Sequence, residues 1–118
     1  KSFGRWDANN PMVMAKKPLE TNQFYVVAGR MGAGQGEVPI ELFIDSVRPA
    51  ARKTIPVNPK ANASKLAVGQ ERDATGHPGK ESFDGEIARF LIYERPLSNA
   101  ELGQVIGGLQ KTYGLKRP

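Results

Sequence analysis

The chain has 118 residues, 39% of them hydrophobic, with 17 Lys and Arg against 12 Asp and Glu, one His and no Cys. Without cysteine there is no disulfide framework, thiol nucleophile or thiolate metal site, and a single His excludes multi-histidine zinc centres and proton relays. No apolar run approaches the ~18 residues that a membrane span needs, and 13 Gly with 9 Pro favour one small domain of strands and turns over a helix bundle.

In chain order, the start at Lys1 without Met or an apolar leader reads as that of an excised piece. The β-branched and aromatic run from Phe24 to Ala28 predicts a strand, closed by a loop with Gly29, Gly32, Gly34 and Gly36. From Val38 to Val47 the pattern alternates. Val38, Ile40, Leu42 and Ile44 share one face, and Glu41 and Asp45 share the other with Phe43, as in a half-buried strand with a solvated side.

The positive charge is concentrated next, between Ser46 and Lys65, where Arg48, Arg52, Lys53, Lys60 and Lys65 meet no acid and Pro49, Pro56 and Pro59 interrupt the chain. The prolines forbid a basic recognition helix and no aromatic is interleaved for base stacking, so the stretch reads as a solvated loop and no nucleic-acid partner is expected. Ser64 to Gly69 predicts a short third strand with Leu66 and Val68 inward, followed by an acidic loop from Glu71 to Glu86. Ile87 to Tyr93 is almost continuously apolar and predicts a central strand covered on both faces. Gly85 before it marks a bulge or a close approach of the backbone.

The last element has the clearest boundaries. Ser98 and Glu101 have the spacing of a capping box, Leu97 can staple onto Leu102, and Leu102, Val105, Ile106, Leu109 and Tyr113 recur with helical period. Gly114 suits a left-handed C-terminal position, with Leu115 placed for its hydrophobic contact.

Candidate functional residues are few. The glycine-rich stretch around Arg30 lacks the Gly-Lys-Ser/Thr ending of a phosphate loop and leads into a strand, so it reads as a hairpin connection. Glu41 and Asp45 are about 13 Å apart along a strand, too far for a pair acting on one glycosidic bond. Trp6, the single indole, stands beside Arg5 and Asp7 and can stack on a sugar face or serve in a core. With Arg30 and His77 it makes up the candidate ligand-binding set, although a lone loop histidine with no nearby Ser or Cys nucleophile is more often plain surface. No catalytic residue is assigned. Asp73 and Asp84, with loop carbonyls, are candidates for a calcium site, because calcium takes oxygen ligands from carboxylates and carbonyls alike; the alternative is a solvated loop. Asn62-Ala63-Ser64 fits the weak glycosylation acceptor pattern.

The stretch Ser82-Phe-Asp-Gly-Glu-Ile-Ala-Arg-Phe-Leu-Ile-Tyr-Glu-Arg-Pro-Leu-Ser-Asn-Ala-Glu-Leu102 resembles the closing segment of a laminin-G-like, or concanavalin A-like, jelly-roll domain. Phe24 to Gly29, Glu41-Leu-Phe-Ile-Asp-Ser46 and Ser64 to Gly69 resemble earlier strands of such domains, with Ser46 where Gly is usual. The resemblance covers about residues 24 to 113. It implies an all-β, concanavalin A-like antiparallel β-sandwich with one short C-terminal helix, residues 1–118 forming a single domain that lacks part of its N-terminal strands. It further implies a non-catalytic, extracytoplasmic module that binds carbohydrate or another surface ligand, with calcium as the one candidate cofactor. The alternatives are a structural domain packed against the rest of a multidomain enzyme, and a remnant of a polysaccharide lyase or glycoside hydrolase.

Overall fold

The computed structural model describes residues 2–4, 11–58, 68–69 and 83–115. They belong to two compact units, one made of Lys1–Val57 with Tyr93–Pro118, the other of Asn58–Ile92.

The first unit holds β1 (Ser2–Gly4), β2 (Met12–Met14), β3 (Val27–Met31), β4 (Glu37–Ile44), β5 (Ala51–Pro56) and α1 (Asn99–Thr112). Strands β1 and β2 form an antiparallel ribbon, and β3, β4 and β5 an antiparallel sheet with β4 in the centre. The alternation of β4 sorts its side chains onto two faces. Val38, Ile40 and Leu42 join Val13 and Ile55 in one apolar cluster, while Phe43 joins Val26, Leu102 and Ile106 in a second. Strand β4 is therefore covered on both sides, by the ribbon and by the helix. This corrects the half-buried reading: Glu41 is only 7% exposed, because the period of two shows which residues share a face but not that a helix will lie over the polar-looking one.

Asp45 is likewise no solvated side chain. At φ +54 it ends β4, its N–H donates to the Val26 carbonyl (2.9 Å) and its Oδ1 accepts the Val26 N–H (2.7 Å). Aspartate tolerates this left-handed conformation better than most residues because its short carboxylate can bond locally.

Strand β5 overturns the reading of 46–65 as loop throughout. Ala51 and Ile55 pack toward the first cluster, while Arg52 and Lys53 are exposed and Pro56 closes the strand. Proline and long cations are tolerated at a sheet edge, where they also discourage pairing with a further strand. Strand β3 starts three residues later than the aromatic run, leaving Phe24 exposed. The glycine stretch from Gly32 to Gly36 forms the expected hairpin connection to β4. A Cβ on Gly32 would fall 2.6 Å from Pro39 Cδ, and its N–H donates to the Pro39 carbonyl at 2.7 Å; only glycine allows that approach.

Helix α1 follows the sequence reading at both ends. Ser98 is the N-cap, with Ser98 and Glu101 forming the reciprocal capping box. Gly114 adopts φ +62, and the N–H groups of Leu115 and Gly114 donate to the carbonyls of Gln110 (2.8 Å) and Lys111 (3.4 Å), the two bonds of a Schellman motif. Leu102 and Ile106 are buried and Leu97 packs with them. The stripe then continues through Gln110, whose side-chain amide donates to the Asp45 carbonyl at 3.0 Å, and Tyr113 is left exposed. A buried amide is tolerated there because its polar atom has a backbone partner; Leu109 packs against the cluster as the stripe predicts, and hydropathy misleads only at Tyr113.

In the second unit, residues 64–67 of the predicted third strand lie outside the described residues. Ile87 to Tyr93, whose last residue already belongs to the first unit, forms no strand, and Ile87, Phe90, Leu91, Ile92 and Tyr93 are exposed, Ile92 by 65%. The apolar pattern reports that both faces suit burial; a strand also needs a backbone partner, and among the described residues none pairs with it. Gly85 does mark a close approach, its Cβ position lying 2.7 Å from the Phe83 ring. Among the described residues the sheets are thus antiparallel throughout, with one short C-terminal helix.

Candidate functional site

The hairpin register places Arg30 opposite Glu41, and the β4–β5 register places Glu41 opposite Arg52. The three side chains make a line across the sheet on the face that carries the helix. Arg30 Nε and Nη2 each lie 2.7 Å from Glu41 Oε2, and Arg52 Nε lies 3.6 Å from Oε1. Arg30 Nη1 donates to the Leu97 carbonyl at 2.7 Å, and its guanidinium stands 4.9 Å from the centre of the Phe43 ring. One side chain therefore ties β3 to β4 and both to the segment leading into α1. Its planar fork makes this possible, since a guanidinium can donate in several fixed directions at once.

Leading into that helix, Arg95 grips Glu101 with two bonds, Nη1 to Oε2 (3.0 Å) and Nη2 to Oε1 (2.6 Å). Glu101 Oε2 also accepts the Ser98 N–H at 2.8 Å, and the Glu101 N–H donates to Ser98 Oγ at 3.2 Å. The side-chain bond from Arg95, followed by the Ser98 backbone and hydroxyl contacts, holds the Glu101 carboxyl down at about 2, and the same contact raises Arg95. Charge-assisted bonds of this kind favour the ionised partners.

Between these two ion pairs runs an open groove of about 430 Å³. Arg30 and Gly32 come from β3 and its hairpin, Pro39 and Glu41 from β4, and residues 95–98 with Glu101 from the start of α1. Proline rings supply flat apolar walls, and the ion pairs supply fixed donors and acceptors. Such a surface suits a ligand with alternating apolar faces and hydroxyl edges.

Of the residues singled out in the sequence, Arg30 lines this groove. Trp6, Asp73 and His77 lie outside the described residues. Asp84 is exposed in the second unit, and among the described residues no three Asp, Glu or His side chains gather as a metal set. Glu41, Arg95 and Glu101 were not singled out as ligand contacts. The first could have been found from the hairpin: a turn at Gly32 to Gly36 puts Arg30 and Glu41, opposite charges, face to face. Ser98 and Glu101 were legible as a cap but not as the wall of a groove, which depends on where the helix docks.

Compared with known sequences, residues 2–103 match the profile of the Concanavalin A-like lectin/glucanases superfamily. No curated protein and no solved structure matches the chain.

Proposed function

Because the chain belongs to the concanavalin A-like lectin/glucanase superfamily, we propose that it is a non-catalytic binding module of a larger, extracytoplasmic protein and that it holds carbohydrate in the groove beside α1. The observation that carries this reading is the state of the two groove carboxylates. Glu41 is held by Arg30 and Glu101 by Arg95. Glycoside cleavage needs a carboxylic acid whose pKa is raised toward neutrality, and Glu101, held down at about 2, is the reverse of that. That pairing supports recognition in this groove: donors and acceptors fixed in place, between proline faces.

A glycan array probed with the full chain, with and without Ca²⁺, tests the reading. Binding of a defined glycan class that Arg95→Gln weakens about tenfold, a loss of the size expected for a charged hydrogen bond, is the supporting result. A blank array would remove it. Calcium is a separate question, attached to Asp73 and Asp84; calorimetric titration with Ca²⁺ giving neither heat nor a change in melting temperature would dispose of that site.

The exposed run from Ile87 to Tyr93 favours a second reading, a structural domain that packs against other domains of its parent. Small-angle scattering separates the two, since a compact monomer argues for an independent module and self-association argues for a surface that needs a cover.

A further inference from the structure

The charges in the groove define the class of sugar, and on the carbohydrate reading above we infer that the ligand is a neutral oligosaccharide whose binding is insensitive to salt and independent of calcium. The charged side chains lining the groove are Arg30, Glu41, Arg95 and Glu101. They form two closed ion pairs, Arg30 with Glu41 at 2.7 Å and Arg95 with Glu101 at 2.6 Å, so the lining carries no net charge. Arg52 reaches Glu41 at 3.6 Å from outside the lining and is 69% exposed, where water and salt screen it.

A uronate or sulfate group entering this groove could reach only the outer N–H groups of Arg30 and Arg95, each with Glu41 or Glu101 already bonded beside it, so repulsion by the paired carboxylate offsets the attraction of the guanidinium. At the start of the helix the N–H groups of Ser98 and Glu101 are already taken up by the capping box, and the Glu101 charge stands beside them. An amino sugar or a calcium ion meets the mirror-image obstacle, as a paired guanidinium stands beside each carboxylate and repels a second cation.

A hydroxyl group faces neither obstacle. Each guanidinium has more N–H donors than its observed contacts use, and each carboxylate has further lone pairs. One hydroxyl can accept from the first and donate to the second without disturbing either ion pair. Neutral sugars carry such hydroxyls in rows, with apolar ring faces that suit Pro39 and Pro96.

The test uses the full chain and three probe sets: neutral oligosaccharides, the matched uronate-containing ones and the matched sulfated ones, each titrated at low and high salt with and without Ca²⁺. Neutral glycans should bind, with affinity altered less than about twofold by salt and unaffected by chelator. Preferential binding of the acidic sets, with affinity falling about tenfold as salt rises, would overturn the inference while leaving the carbohydrate reading in place. Binding of no glycan at all would overturn both. A second arm is Glu101→Gln, which keeps a capping-box residue at this position and gives the groove one net positive charge. It should gain several-fold affinity for the sulfated set at low salt and lose that gain at high salt. An unchanged preference in this variant, with helix content retained by circular dichroism, would show that groove charge does not set the choice of ligand.

Discussion

At Arg30 a single side chain meets a carboxylate, a backbone carbonyl and an aromatic face within one shell. Its side chain is 17% exposed and that of Glu41 9%, so truncating it leaves Glu41 and the Leu97 carbonyl, both largely covered, short of donors. Arg30→Ala should cost about 3 kcal/mol in urea denaturation, whereas Arg30→Lys, which keeps the charge but loses the fork, should cost less. An equal loss for both would mean that the fork geometry is irrelevant. Glu101 contributes a pH dependence. Its folded value of about 2 lies below the ordinary 4.5, so the stabilisation that it provides is fully present above pH 4.5 and is lost as pH falls toward 2. Acid titration of stability for the wild type and Glu101→Gln should show the two curves converging in that window, the variant lacking this contribution to the slope.

Helix α1 is a weak helix held by strong ends. Its three glycines reduce intrinsic propensity, and Ser98, Glu101 and Gly114 compensate at the termini while Leu102 and Ile106 pack onto Phe43. Ser98→Ala should therefore cost about 1 kcal/mol. At Gly108, where a Cβ meets nothing within 4 Å, Gly108→Ala should raise stability by up to about 1 kcal/mol. At Gly114 the same change should cost about 1–2 kcal/mol, because φ +62 is hard for any residue with a Cβ. Thermal melts of the three variants check both the signs and the order. The sheet shows a similar division between centre and edge. Strand β4 is apolar on one face and mixed on the other yet buried on both, while β5 carries its cations outward, with Pro56 at its end, as an edge strand can.

The whole molecule combines a well-covered sheet with an apolar segment that is not covered. Phe90→Lys and Ile92→Lys, at positions 52% and 65% exposed, should each change stability by no more than about 0.5 kcal/mol and reduce binding of a hydrophobic dye. A loss of several kcal/mol would instead place both side chains in an interior. The sequence by itself determined the pieces that depend on near neighbours along the chain: the capping box at Ser98, the left-handed Gly114, the glycine hairpin between β3 and β4, and the family signature from Phe83 to Leu102. Caps and turns are local because their bonds close within a few residues. Tertiary structure decided the rest. Glu41 became buried and Asp45 a half-buried link because a helix nearly 60 residues further on covers their face, Arg52 and Lys53 became part of a strand because β4 offered an edge, and Ile87 to Tyr93 stayed exposed because among the described residues none offers it one. The groove belongs to this second class. Arg30, Glu41, Arg95 and Glu101 are scattered along the sequence, and only the docking of α1 on the sheet brings two neutral ion pairs to the same wall, since the contacts that align them close over long loops and leave no local trace.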